Sequence, residues 1–139
     1  MTDADLVEKK LAAIETYVSE LRRLAKPDEL GRDIRETRFV EHTLQLAIQA
    51  ALDVASHIVS DERLGEPSTN RELFALLSGR GYVSGSLAAT LANMAGFRNI
   101  LVHGYDAVDL AIVRDVVDNH LVDLLEFAAA IRVAIRRGP

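Results

Sequence analysis

The stretch Leu110-Ala111-Ile112-Val113-Arg114-Asp115-Val116-Val117-Asp118-Asn119-His120-Leu121-Val122-Asp123-Leu124-Leu125-Glu126-Phe127-Ala128-Ala129-Ala130-Ile131-Arg132-Val133-Ala134-Ile135-Arg136 reports the architecture more directly than any other part of the chain. Leu110, Val113, Val117, Leu121, Leu124, Ala128, Ile131 and Ile135 recur in it at alternating spacings of three and four. That period keeps apolar side chains on one side of a helix and seats them against neighbouring helices. A helix over about residues 107 to 136 cannot bury such a seam alone, so the pattern predicts a helical bundle.

The rest of the chain supplies the partners. Leu6, Leu11, Ile14, Val18, Leu21 and Leu24 share a helical period, and Pro27-Asp28 breaks it, which predicts a first helix over about residues 3 to 25. From Asp28 to about Ser60 two adjacent stripes run together, Val40, Leu44, Ala47, Ala51, Val54 and Ile58 beside Ile48, Leu52, Ala55 and Val59. So wide an apolar face predicts a central helix. Asp61 to Asn70, with Pro67, reads as a loop; Leu73, Phe74 and Leu77 form a short helix ended by Gly79. Gly79-Arg80-Gly81 with Gly85 is a turn, since no strand precedes it and no Gly-Lys-Ser/Thr follows. A fourth helix over about Ser86 to Val102 carries Leu87, Leu91, Met94, Arg98 and Leu101 on one stripe. No strand-like alternation, repeat or low-complexity tract appears. The expected fold is therefore all-α: one domain over residues 1–139, an up-and-down antiparallel helical bundle with one short extra helix.

Composition narrows the function. A chain of 139 residues can bury roughly two-thirds of its extended surface without staples. Cysteine is absent, which excludes disulfides, thiolate metal sites and a cysteine nucleophile. The start, Met1-Thr2-Asp3-Ala4-Asp5, has no signal-peptide character, and no apolar run suits a bilayer, so a cytoplasmic protein is expected. A net charge of -5 argues against nucleic-acid binding by bulk electrostatics, so any RNA contact must come from a local basic patch. His42, His57, His103 and His120 are scattered away from metal-ligand spacing, and neither metal nor cofactor is expected.

Chemistry concentrates in Phe97-Arg98-Asn99-Ile100-Leu101-Val102-His103-Gly104-Tyr105-Asp106. The Arg98 guanidinium can hold a phosphate by two parallel hydrogen bonds, and the His103 imidazole can give or take a proton near neutral pH. Together they suit phosphodiester chemistry without a metal. On a continuous helix His103 lies well round from Arg98. A left-handed Gly104 that ends the helix would let the imidazole swing back. The blander alternative has Arg98 paired with a carboxylate, His103 in a polar gap and Tyr105 at a bundle edge.

This string, with Gly96 before it and the long helix after it, resembles the signature of HEPN-domain proteins of the HepT type, the toxin halves of bacterial MNT–HEPN toxin–antitoxin pairs. The likeness extends to the long second helix with Ala51-Leu52-Asp53-Val54-Ala55-Ser56-His57-Ile58, the loop with Pro67, and Leu73-Phe74. The resemblance implies a metal-independent endoribonuclease acting as a homodimer, with two motifs facing each other across a cleft. Arg98 would then bind the scissile phosphate, His103 would act as general acid or base as a ribose 2′-hydroxyl attacks, and Asn99 would orient phosphate or imidazole. Tyr105 would be adenylylated by the cognate nucleotidyltransferase antitoxin, which silences the toxin. A non-catalytic HEPN module that binds a nucleotidyltransferase or a nucleotide is the alternative.

Further polar residues carry expectations of their own. His42, Gln45, Gln49, Asp53, Ser56 and Ser60 form a polar stripe on the second helix, which lines the cleft or faces water. Asp53 is the expected counter-charge for Arg98, because a semi-buried arginine left alone costs several kcal/mol, and His57 could join that network. Arg32, Arg35 and Arg38, interleaved with Asp28, Glu29, Asp33, Glu36 and Glu41, are expected to make a salt-bridged solvated face. Arg132, Arg136 and Arg137 are expected to serve the dipole of a helix end.

Overall fold

A computed structural model describes residues 2–104 and 108–137. Helix α1 spans Ala4–Leu24; its first free amides are met by Asp3, whose side chain accepts from the Leu6 N–H at 3.1 Å. A single 3₁₀ turn, Pro27–Glu29, leads to Gly31, whose positive φ of 81° favours glycine. Helix α2 spans Ile34–Asp61 and so begins six residues beyond the expected start at Asp28, because the side chain of Asp33, its N-cap, accepts from the Arg35 N–H at 2.9 Å.

The remaining elements are α3, Glu72–Gly79; α4, Gly85–His103; and α5, Leu110–Asp115, which passes through a π turn, Val116–His120, into α6, Leu121–Arg137. Helix α2 touches α1, α3, α4 and α6, so it is the central helix. Its Val40, Leu44, Ala47, Ala51, Ala55 and Ile58 are almost wholly buried. Among the described residues every regular element is helical, and the all-α bundle with one short extra helix stands.

The π turn corrects the expected seam. Val113, Leu121, Leu124, Ala128 and Ile131 are buried as the period requires, but at the turn Val116 is buried and Val117 only partly so. The wider turn shifts the inward column by one residue. Phe127, outside that column, is fully enclosed and meets Phe74 of α3 edge-on, ring centres 5.8 Å apart.

Two electrostatic expectations are also corrected. Arg132 does not serve the helix end. It lies across α1, with Nη2 at 2.7 Å from Glu8 and 2.8 Å from Glu15. Glu8 and Glu15 are seven residues apart, hence on one face of α1, and the guanidinium fork spans them. Hydrogen bonding to Arg132 lowers both carboxyls below their usual range. Meanwhile Arg32, Arg35 and Arg38 are solvated as expected, but among the described residues none has a carboxylate in ion-pair range; Asp28 pairs instead with Arg114 at 2.7 Å.

Candidate active site

Helix α4 opens at Ser84, whose hydroxyl accepts from the Leu87 N–H at 3.1 Å. Leu87, Leu91, Met94, Ala95 and Phe97 fix its inner face in the core. No acidic residue occurs between Glu72 and Asp106, so α4 is an acid-free element in an acidic protein. Arg98 continues the inner stripe and is partly buried. Its Nη1 donates to Asn99 Oδ1 at 3.2 Å, while its Nε is enclosed and has no partner among the described residues. No carboxylate among them lies in ion-pair range of the guanidinium.

Asp53 is therefore not its counter-charge. On α2 Asp53 accepts from Lys10 of α1 at 3.2 Å and from Gln49 at 2.8 Å. Helix α1 lies along that side of α2 and supplies the cation, which the sequence periodicity alone could not place. His57 faces the same groove and pairs with Asp61 at 3.0 Å. The lower polar stripe, Asp53, Ser56 and Ser60, lines a cavity of about 360 Å³ with Leu6, Val7 and Lys10. Neither Asp53 nor His57 joins Arg98.

Asn99 and His103 are exposed, His103 in the last turn of α4. Five helical positions turn His103 about 140° from Arg98, and no hydrogen bond joins them among the described residues. The expected left-handed Gly104 is not found. Its φ of -77° and ψ of -13° are right-handed, and its N–H donates to the Ile100 carbonyl at 2.7 Å. Here glycine serves close approach, since a Cβ would stand 2.5 Å from the Ile100 oxygen. Without a reversal at Gly104, His103 keeps its outward direction. Tyr105 lies outside the described residues.

One neighbour of this face carried no sequence signal. Arg71, just before α3, donates from Nη2 to Asn93 Oδ1 of α4 at 3.3 Å. Its guanidinium lies over Gly96, 3.6 Å from where a Cβ would be. Among the described residues, no group of three or more His, Cys, Asp and Glu is arranged to hold a metal ion.

Comparisons with known proteins identify the family and the fold. An mRNA nuclease HepT of Shewanella oneidensis is 31% identical over 129 residues, covering 92% of this chain and 97% of that protein. A tRNA nuclease HepT of Aphanizomenon flos-aquae is 33% identical over 106 residues, 75% of this chain and 72% of that one. Among solved structures, a tri-AMPylated Shewanella oneidensis HEPN toxin in complex with its MNT antitoxin superposes with a TM-score of 0.86 at 30% identity, covering 94% of this chain and 99% of that one. A family model described as Ribonuclease HepT-like matches residues 14–131. By that match and these relatives, the chain belongs to the ribonuclease HepT-like family.

Proposed function

We propose that this protein is the toxin of a HEPN/MNT toxin–antitoxin pair, a metal-independent endoribonuclease that works as a homodimer and is silenced by adenylylation of Tyr105. The observation that carries the reading is Arg98. It is a partly buried guanidinium on an acid-free helix, bonded only to the neutral Asn99 among the described residues. A guanidinium kept without a carboxylate is costly to hold and suited to an anion that arrives from outside. RNA supplies that anion in its phosphates.

In the proposed reaction Arg98 holds the scissile phosphate, and Asn99 orients the guanidinium through its amide oxygen. A base takes the proton of the ribose 2′-hydroxyl, whose oxygen forms a bond to phosphorus. The bond from phosphorus to the 5′ oxygen breaks, and an acid returns a proton to that oxygen. The products are a 2′,3′-cyclic phosphate and a free 5′-hydroxyl. One His103 cannot be base and acid at once, and it points away from its own Arg98. A twofold dimer supplies a second imidazole. The outer face of α4 suits such pairing, with Ile100 44% exposed beside Asn99 and His103.

Tyr105 follows His103 directly after Gly104, so an AMP attached there would bring bulk and negative charge to the place where RNA must enter. The superposed Shewanella toxin is tri-AMPylated and bound to its antitoxin. The test is expression with and without a cognate MNT-type nucleotidyltransferase, with growth recorded and peptides mapped by mass. Growth arrest alone, relieved together with an adenylyl group on Tyr105, is the expected outcome. Neither toxicity nor modification would favour a non-catalytic module that only binds the nucleotidyltransferase or a nucleotide.

A further inference from the structure

We infer that Arg71 forms a second phosphate-binding position on the outer face of α4, gripping the RNA backbone at a phosphate that flanks the one cleaved. The inference rests on the ribonuclease reading and adds a residue outside its motif.

Gly96, Asn99 and His103 stand at helical spacings of three and four, so they share one face of α4. That face is the solvent side, where Asn93, Asn99 and His103 are exposed. Arg71 reaches it from another element and lies flat over Gly96, within van der Waals distance of the missing Cβ. A Cβ at residue 96 would stand in ordinary van der Waals contact with the guanidinium, so Arg71 lies against the helix at this position. Asn93 fixes it there through a neutral oxygen at 3.3 Å. Among the described residues no carboxylate pairs with Arg71, which is itself exposed, so most of its N–H donors remain open to a ligand.

Placement along the helix gives the register. From Gly96 to His103 is seven residues, a rise of about 10 Å at roughly 1.5 Å each. Arg71 therefore stands apart from the imidazole along α4, beyond reach of the same phosphate oxygen yet on the same face. An RNA strand laid along this face meets the guanidinium of Arg71 before it meets His103. Helix α4 itself carries no acidic side chain to repel it. Two arginines at separate positions also resolve how a chain of net charge -5 can hold a polyanion: the attraction is local.

A purely structural Arg71 would only anchor the loop before α3, so the deciding readouts are KM and salt dependence. The probe is a fluorescein-labelled single-stranded RNA oligonucleotide cut by the full-length protein, with Arg71→Gln and Arg71→Lys compared to wild type. Arg71→Gln is expected to raise KM about tenfold, more than it lowers kcat, and to flatten the slope of log affinity against log salt by about one. Arg71→Lys is expected to restore most of the salt slope and only part of the affinity. Circular dichroism melts of each variant accompany the kinetics. Wild-type cleavage with an unchanged KM and salt slope in Arg71→Gln overturns this inference alone, whether or not the melt shifts. A wild-type protein that neither binds nor cuts the RNA overturns the ribonuclease reading and this inference with it.

Discussion

Arg98 is partly buried, and among the described residues it bonds only to the neutral Asn99, which suits the anion-binding role proposed for it. Replacing it with Ala is expected to reduce kcat by about 10²- to 10³-fold, the range for loss of a donor aimed at developing charge. Arg98→Met should nevertheless melt at or above the wild-type temperature, because it removes a partly buried charge that has no carboxylate partner among the described residues. A clear fall in melting temperature for Arg98→Met would show that Arg98 is a structural residue. His103→Ala should cost about 10²- to 10⁴-fold in turnover with little effect on stability, since the imidazole is exposed. Arg98, Asn99 and His103 stand out in the sequence because their types and order are unusual. Their surroundings do not: Asp53 finds Lys10 on α1, a contact 43 residues away in sequence that no periodicity encodes. Gly104 was misjudged for a related reason. Composition marks a helix end there, but the approach of the Ile100 carbonyl, and not a positive φ, is what requires glycine.

The helices were readable from their apolar spacing, but the start of α2 was not: the reading opened the segment at Asp28, whereas the Asp33 side chain caps the helix that begins at Ile34. The π turn at Val116–His120 was not readable, because a one-residue shift of the buried column arises from packing and leaves no compositional mark. Phe127 shows the consequence. It sits outside the regular seam yet fills the space against Phe74, so Phe127→Ala is expected to cost about 3–5 kcal/mol in chemical denaturation. A cost under 1 kcal/mol would mean that the ring is not part of the core. Between α1 and α6, Arg132 binds Glu8 and Glu15 in their ionised forms, and their carboxyls are lowered from an ordinary value of 4.5. Their contribution is therefore fully present above pH 4.5 and lost as pH falls through the lowered folded values. Arg132→Ala should lower the melting temperature by a few degrees at pH 7, and the gap to wild type should narrow as pH falls below 4.5 through the lowered folded values. A gap that persists undiminished in acid would assign the effect of Arg132 to packing alone.

For the molecule as a whole, α4 carries no acidic residue in a chain of net charge -5, and among the described residues no helix is long and apolar enough to cross a membrane. In the proposed homodimer, pairing of two such helices would bring two imidazoles to one substrate. Ile100→Asp, which places charge on the exposed apolar side chain of that face, is expected to give a monomer in light scattering and to lose cleavage together with dimerisation. A monomeric variant that still cuts RNA would remove the composite site. The most direct measurement is cleavage of single-stranded RNA by the purified protein in excess EDTA, with wild type, Arg98→Ala and His103→Ala side by side and the product ends identified by mass. Wild type should leave 2′,3′-cyclic phosphate and 5′-hydroxyl ends at full rate in the chelator, and both variants should be slowed by about 10²-fold or more. Cleavage that stops with EDTA, or that stays near the wild-type rate in either variant, would contradict a metal-independent reaction carried by Arg98 and His103.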